Sequence, residues 1–185
     1  MDVENPPPRQ ARGLTLVELI TTLALAGVLL AVTVPAWSEL VDRSQVTAAA
    51  NQLLTALRYA RSAAVNRNRM IGLCPSDDGT HCSGDPFGWQ RGYLVFEDRD
   101  GDRKRTDDEP LLRVQDRLPQ GMRLHSTAGR PAIRFDPDGA AWSTNTTFSI
   151  CAGEQQWAYR AVVLLGTGRA RVDRRLPGNK AIRCG

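Results

Sequence analysis

The sequence predicts an α+β chain, one long N-terminal helix packed on antiparallel β-sheet. Three observations lead there. An apolar run from Leu14 to Val34 continues past Pro35 into a helical repeat that reaches about Asn68. Beyond it, short β-forming segments follow one another, punctuated by Gly, Pro and Asp clusters. No internal repeat and no second domain is visible, and a half-apolar helix beside strands needs a sheet to cover its face.

The N-terminal part divides by composition. Residues 1–13 are polar and proline-rich and carry Arg9 and Arg12. Residues 14–35 are apolar or small apart from Glu18 and several threonines, long enough to cross a hydrocarbon core of roughly 30 Å. The arginines before the span place the N-terminus in the cytoplasm and the C-terminal bulk outside. A secretory signal peptide would be shorter and would end in a small-residue cleavage site. Glu18 sets the span apart from an ordinary anchor. A carboxylate at mid-membrane costs on the order of 2.5–3.5 kcal/mol on insertion scales, so it calls for a cationic partner at similar depth.

In residues 36–185 the helix goes on. Val46, Ala49, Leu53, Leu57, Ala60 and Ala64 recur at spacings of three and four, with Asp42, Gln45, Asn51, Arg58 and Arg61 on the other sides. Strands are expected at 70–73, 92–96, 111–114, 122–125, 132–135, 146–151, 159–165 and 168–172. Gly166-Thr167-Gly168 joins the last two as a hairpin, and Pro75 to Gly92 forms a long loop.

Gly13-Leu14-Thr15-Leu16-Val17-Glu18-Leu19-Ile20 resembles the processing signal of type IV pilins and pseudopilins. The resemblance implies that a prepilin peptidase cuts after Gly13 and methylates the new terminus at Leu14, where the usual residue is Phe. It implies that Glu18 is the assembly carboxylate, paired in the filament with the N-terminal amine of a neighbouring pilin or pseudopilin subunit. It further implies a single-pass inner-membrane protein with a periplasmic domain, assembled into a pilus or pseudopilus. Cys74-Pro75-Ser76, the stretch from Gly88 to Asp98 and Gly168-Arg169-Ala170-Arg171 are similar to the GspH/FimT group of minor pilins and secretion pseudopilins.

Four cysteines lie in the part expected outside the cytoplasm, where disulfides persist. Of three pairings the favoured one is Cys74–Cys82 within one loop and Cys151–Cys184, the second pinning a polar tail that otherwise lacks core contacts. Zinc ligation and unpaired thiols are the competing readings; the spacing fits no usual zinc pattern. Asp98, Asp100, Asp102 and Glu109 partly match a calcium loop, but Gly101 is misplaced and Arg99, Arg103, Lys104 and Arg105 would repel a cation. The loop is therefore read as a solvated connection, with no metal. No catalytic triad, P-loop or zinc-protease motif is present, so no enzyme and no cofactor is expected. His81 and His125 are read as loop and strand-surface residues. Trp89, Trp142 and Trp157 are read as domain packing in preference to base-stacking platforms.

The net charge of +4 is unevenly spread. Arg160, Arg169, Arg171, Arg174, Arg175, Lys180 and Arg183 stand near the C-terminus against Asp173 alone. Strand alternation puts Arg169 and Arg171 on one face beside a Gly-rich turn, where two guanidinium forks could grip successive phosphates. A solvated basic edge that deters strand pairing is the plainer alternative. Gly168-Arg169-Ala170-Arg171 matches the GRxR motif of FimT-type minor pilins. That resemblance implies double-stranded DNA binding for uptake in natural transformation, through Gly168, Arg169, Arg171, Arg174 and Arg175. A GspH-like secretion pseudopilin with a purely structural role is the other reading.

Overall fold

The computed structural model describes residues 15–142, 144–152, 158–176, 178 and 180–182, without the side chains of 32–36 and 158. It is α+β, as expected. The chain divides into two compact units, Met1–Ser38 and Glu39–Gly185. Helix α1, Leu16–Arg67, supplies residues to both.

In the first unit the described side chains are exposed, among them Leu16, Val17, Ile20, Leu23, Leu25, Leu29 and Leu30. Among the described residues no helix is long and apolar enough to cross a membrane. The expected span of 14–35 extends past that set at both ends. Its described side chains stop at residue 31, short of the roughly 20 apolar residues that a crossing needs.

In the second unit α1 is amphipathic. Val46, Ala49, Leu53, Leu57, Ala60 and Ala64 are all buried, joined by Ala50, Ala56 and Ala63. The helix stops where the sequence places its end, and the reason is a C-cap. Asn68 takes φ 52°. Its N–H reaches the Val65 carbonyl at 3.4 Å and the Arg69 N–H reaches Ala64 at 3.2 Å, the paired bonds of a Schellman motif.

Eight strands follow among the described residues: β1 Ile71–Pro75, β2 Tyr93–Glu97, β3 Leu111–Gln115, β4 Arg123–His125, β5 Ile133–Phe135, β6 Thr146–Ala152, β7 Ala158–Leu164 and β8 Ala170–Asp173. Each lies within a few residues of its expected place. They form two four-stranded antiparallel sheets, with strand orders β3-β2-β1-β5 and β4-β6-β7-β8. Ile71, Leu73, Val95, Ile133 and Phe135 of the first sheet share one core with Leu124, Phe148, Ile150, Val162 and Leu164 of the second and with the face of α1.

The expected long loop of 75–92 contains one 3₁₀ turn, Trp89–Arg91, which buries Trp89 completely. The Trp89 indole N–H donates to Ser126 Oγ at 3.1 Å, and the ring meets Phe148 edge-on at 4.9 Å. The packing reading is right for this tryptophan.

Each sheet also has a small apolar cluster off the main core. On the first, Cys74, Leu94 and Phe96 pack with Cys82 and Ala132, and the Cys74–Cys82 disulfide closes that loop over the strands. Gly72 leaves room for the Phe96 ring, since a Cβ there would lie 2.3 Å from the ring carbon. On the second, Cys151 and Ala161 pack with Leu176 and Ile182. The tail therefore does have core contacts, contrary to expectation, because Leu176 and Ile182 supply apolar side chains within an otherwise polar segment. Cys151 is disulfide-bonded; its expected partner Cys184 lies outside the described residues.

The acidic loop joins β2 to β3. Asp98, Asp100 and Asp102 have oxygens within 4.8 Å of one another. These carboxylates already accept backbone N–H groups: Asp98 from Gly101 and Arg103, Asp100 from Asp102, and Asp102 from Lys104. Buried Glu109 accepts from Arg99 at 2.7 Å and Thr106 at 3.0 Å. Arg103, where a calcium loop has its glycine, takes φ 66°. The loop thus keeps a tight turn held by its own backbone bonds.

Asp98 is fully buried, and the loss of hydration pushes its carboxyl up to about 6. The unfolded chain titrates it near ~3.9. Between these values the folded state holds a proton that the unfolded state has released, so the contribution of Asp98 to stability falls as pH rises from about 4 to about 6. Asp98→Asn removes that slope. Urea unfolding at stepped pH should show the variant gaining on the wild type through this window and running parallel to it above about pH 7. A constant difference throughout would mean that Asp98 titrates alike in both states.

Candidate functional site

The processing residues Gly13 and Leu14 lie outside the described residues. Glu18 stands in the first turn of α1. Its N–H donates to Thr15 Oγ1 at 3.2 Å, and the Leu19 N–H donates to the Thr15 carbonyl at 3.1 Å. Thr15 is thus the N-cap, and Thr15-Leu16-Val17-Glu18 has the T-x-x-E spacing of a capping box. The sequence reading missed this, although the spacing was there to be read. The positive end of the helix also favours a carboxylate at this position.

The basic cluster centres on the β7–β8 hairpin. The Gly168 N–H donates to the Leu165 carbonyl at 2.8 Å, and the Leu165 N–H donates to the Arg169 carbonyl at 3.0 Å. Gly168 takes φ 76°, and a Cβ there would lie 1.9 Å from the Gly139 carbonyl oxygen. No other residue type fits that approach. In β8, Ala170 and Val172 pack against the core. Alternation sends Arg171 and Asp173 to the opposite face, and the Arg171 Nε lies 3.5 Å from Asp173 Oδ2. The same alternation, continued back one pair, brings Arg169 to that face. Arg169, Arg171, Arg174, Arg175 and Lys180 are exposed, and Arg160 is half-buried. Arg183 lies outside the described residues. Among the described residues β8 is the edge of its sheet, and Arg169 and Arg171 stand exposed along it.

A second loop is joined to this turn. It follows β5 and includes residues 136–142, with Asn145 just before β6. The Ala141 N–H donates to the Gly166 carbonyl at 2.8 Å, and the Gly166 N–H donates to Asn145 Oδ1 at 2.5 Å. Arg61 of α1 donates through Nη1 to the Gly168 carbonyl at 3.3 Å. The spacing pattern did not single out Arg61 for this, because the contact joins residues 107 apart in sequence.

Trp142 is carried on this second loop and is 58% exposed. The packing reading fails here. The indole N–H is tied to Asp138 Oδ2 at 3.1 Å, which holds the ring at the rim of the loop. Trp157 lies outside the described residues. The Asp138 carboxyl is held below the usual range by the Ala140 N–H, then by the Trp142 indole N–H. His81 is a loop residue, bonded through Nδ1 to Asp78 at 3.0 Å. His125 is more buried than a strand-surface residue and its ring lies tilted against Phe87, centroids 5.6 Å apart. Its imidazole is held below the ordinary value by burial, then by Arg123.

A family model described as type II transport protein GspH matches residues 49–168. The chain belongs to the GspH family. A second model, the prokaryotic N-terminal methylation motif, matches residues 8–34 of this GspH-family chain. The pilin-like protein PilA1 of Thermus thermophilus is 32% identical over 170 residues, spanning 88% of this chain and 98% of that protein. Among solved structures, the type IV minor pilin FimU of Pseudomonas aeruginosa aligns with TM-score 0.57 at 22% identity, covering 71% of this chain and 90% of its own. The minor pseudopilin EpsH of the Vibrio cholerae type 2 secretion system aligns with TM-score 0.51 at 18% identity, covering 72% and 98%. Both share the helix-on-sheet fold. Membership of the GspH family implies a structural subunit that assembles with other pilin or pseudopilin subunits.

Gly168→Ala tests the hairpin geometry. It forces a side chain into the Gly139 carbonyl at positive φ, so the variant should unfold at least about 1 kcal/mol more easily in urea than the wild type. Equal stability would mean that the turn relaxes at no cost.

Proposed function

We propose that this chain is a FimT-like minor pilin that captures DNA for uptake in natural transformation. The chain is cut after Gly13, methylated at Leu14 by a prepilin peptidase and anchored in the inner membrane by residues 14–35. Its N-terminus is cytoplasmic and its domain periplasmic. Glu18 meets the N-terminal amine of the next subunit in the filament. The protein has no catalytic role. The observation that carries the DNA reading is edge strand β8, where exposed Arg169 and Arg171 follow the tight turn at Gly168. A structural secretion pseudopilin is the second reading. Asp173 supports it, because it already partners Arg171 and offsets part of its charge.

Two measurements test the proposal. Mass spectrometry of membrane fractions should find a mature chain that starts at Leu14 with a methylated amine. Glu18→Ala should still be cut but should enter filaments poorly. Retention of residues 1–13, or normal incorporation of the variant, would count against this part.

For DNA, fluorescence anisotropy of the full chain in a non-ionic detergent should show weak duplex binding that falls steeply with salt, by about −0.9 in log affinity per phosphate contact. Arg169→Ala should flatten the slope by about one unit. Arg171→Ala should cost less, because Asp173 already offsets part of its charge. Arg103→Ala should matter little. Absence of wild-type binding at low salt, or a double Arg169/Arg171 variant that binds as well as wild type, returns the chain to the secretion reading.

A further inference from the structure

We propose that Trp142 is a stacking platform for an unpaired base, so that the β7–β8 turn and the loop of residues 136–142 together take single-stranded DNA. The inference rests on the DNA reading above, in which the arginines bind duplex, and adds unpaired strands as a second form of the ligand.

Three observations carry it. The first is exposure. A large aromatic ring is 58% open to solvent on a domain whose other described tryptophan, Trp89, is wholly buried. Among the described residues, the ring pairs are Phe87–His125, Trp89–Tyr93 and Trp89–Phe148, and none uses Trp142.

The second is positioning. The indole N–H is bonded to Asp138, and the Asp138 carboxylate is fixed in turn by the Ala140 N–H at 2.8 Å. A ring anchored by its edge loses little further freedom when something stacks on it.

The third is its join to the arginines. Ala141, the residue before Trp142, is bonded to Gly166, and the Gly139 carbonyl abuts Gly168, whose successor is Arg169. The cationic turn and the aromatic loop are therefore bonded to each other.

The chemistry favours nucleic acid over a protein partner. Arg169, Arg171 and Arg174 are exposed at or just beyond this turn. The carboxylates on these segments are already engaged, Asp136 by Arg134, Asp138 by the indole and by backbone, Asp173 by Arg171. Phosphates held by arginine beside a base held by an aromatic face is the general arrangement for single strands, and stacking is sequence-tolerant because every base has a π-face. A fully paired duplex keeps its bases stacked on one another and cannot use the ring.

The test compares two probes, a thymidine 12-mer and a blunt 12-base-pair duplex, each titrated by anisotropy against the full chain in a non-ionic detergent. Trp142→Ala should weaken binding of the 12-mer by about tenfold or more and leave the duplex within about twofold. Its salt slope on the 12-mer should equal that of the wild type, because stacking releases no counterions. Arg169→Ala should lower that slope by about 0.7. Trp142→Phe should restore most of the affinity, and matching thermal melts should show that the variants are folded.

If the wild type binds neither probe, this inference and the DNA reading fall together. If it binds duplex and Trp142→Ala affects both probes equally or neither, the stacking role is wrong and the DNA reading stands. If Trp142→Ala binds both probes normally but enters filaments poorly, the ring is a subunit contact and the inference is overturned.

Discussion

The buried face of α1 between Val46 and Ala64 is the surface on which the rest of the domain depends. It is common to both sheets, because the inner residues of each meet it in a single core. Six of its nine buried positions are alanines, at 49, 50, 56, 60, 63 and 64. Alanine keeps the helix intrinsically favourable and leaves the bulk of the core to the sheets, which contribute Phe135, Phe148, Ile150 and Leu124. Leu53 and Leu57 are the large side chains that the helix itself supplies. Removing either would open a cavity shared by both sheets, with the usual cost of about 2–5 kcal/mol.

Two sheets covered on one face by a helix still have another face to manage. Here each holds an apolar cluster containing a half-cystine. Cys74 sits with Leu94 and Phe96, and Cys151 with Ala161 and the tail residues Leu176 and Ile182. In both cases a segment of irregular backbone is brought onto the strands. The Cys74–Cys82 bond spans eight residues, and in the chain-entropy account such a short loop constrains the unfolded state only modestly. Its local effect is to hold that loop over Leu94 and Phe96.

The hairpin that carries Arg169 is positioned by contacts remote in sequence. Gly168 fits because Gly139 abuts it, Arg61 reaches its carbonyl from the helix, and Asn145 accepts the N–H of Gly166. A basic edge strand with a slack turn would present its arginines over a range of positions. Here the turn is tied at several points, which reduces the entropy lost when a ligand is bound. The ties also bring Trp142 to the same rim, an outcome that composition does not foretell.

Much of this was legible in the residue order. The period of three and four marked the buried face of α1 at Val46, Ala49, Leu53, Leu57, Ala60 and Ala64. Asn68 marked its end. The runs of β-branched and aromatic residues marked the eight strands found among the described residues, and the glycines of Gly166-Thr167-Gly168 marked the last hairpin. These features are local: periodicity, capping and turn chemistry act within a few residues and are written in adjacent letters. The GspH-family membership was legible for the same reason, since its motifs are short and contiguous. What tertiary structure alone decided is set by non-local packing. It divided the strands into two sheets, sank Trp89 while leaving Trp142 at the rim, seated Leu176 and Ile182 against Ala161, and buried Asp98. Each of these depends on which surfaces meet after the chain has folded, and burial of one tryptophan over another follows from the space left by residues far away in the sequence.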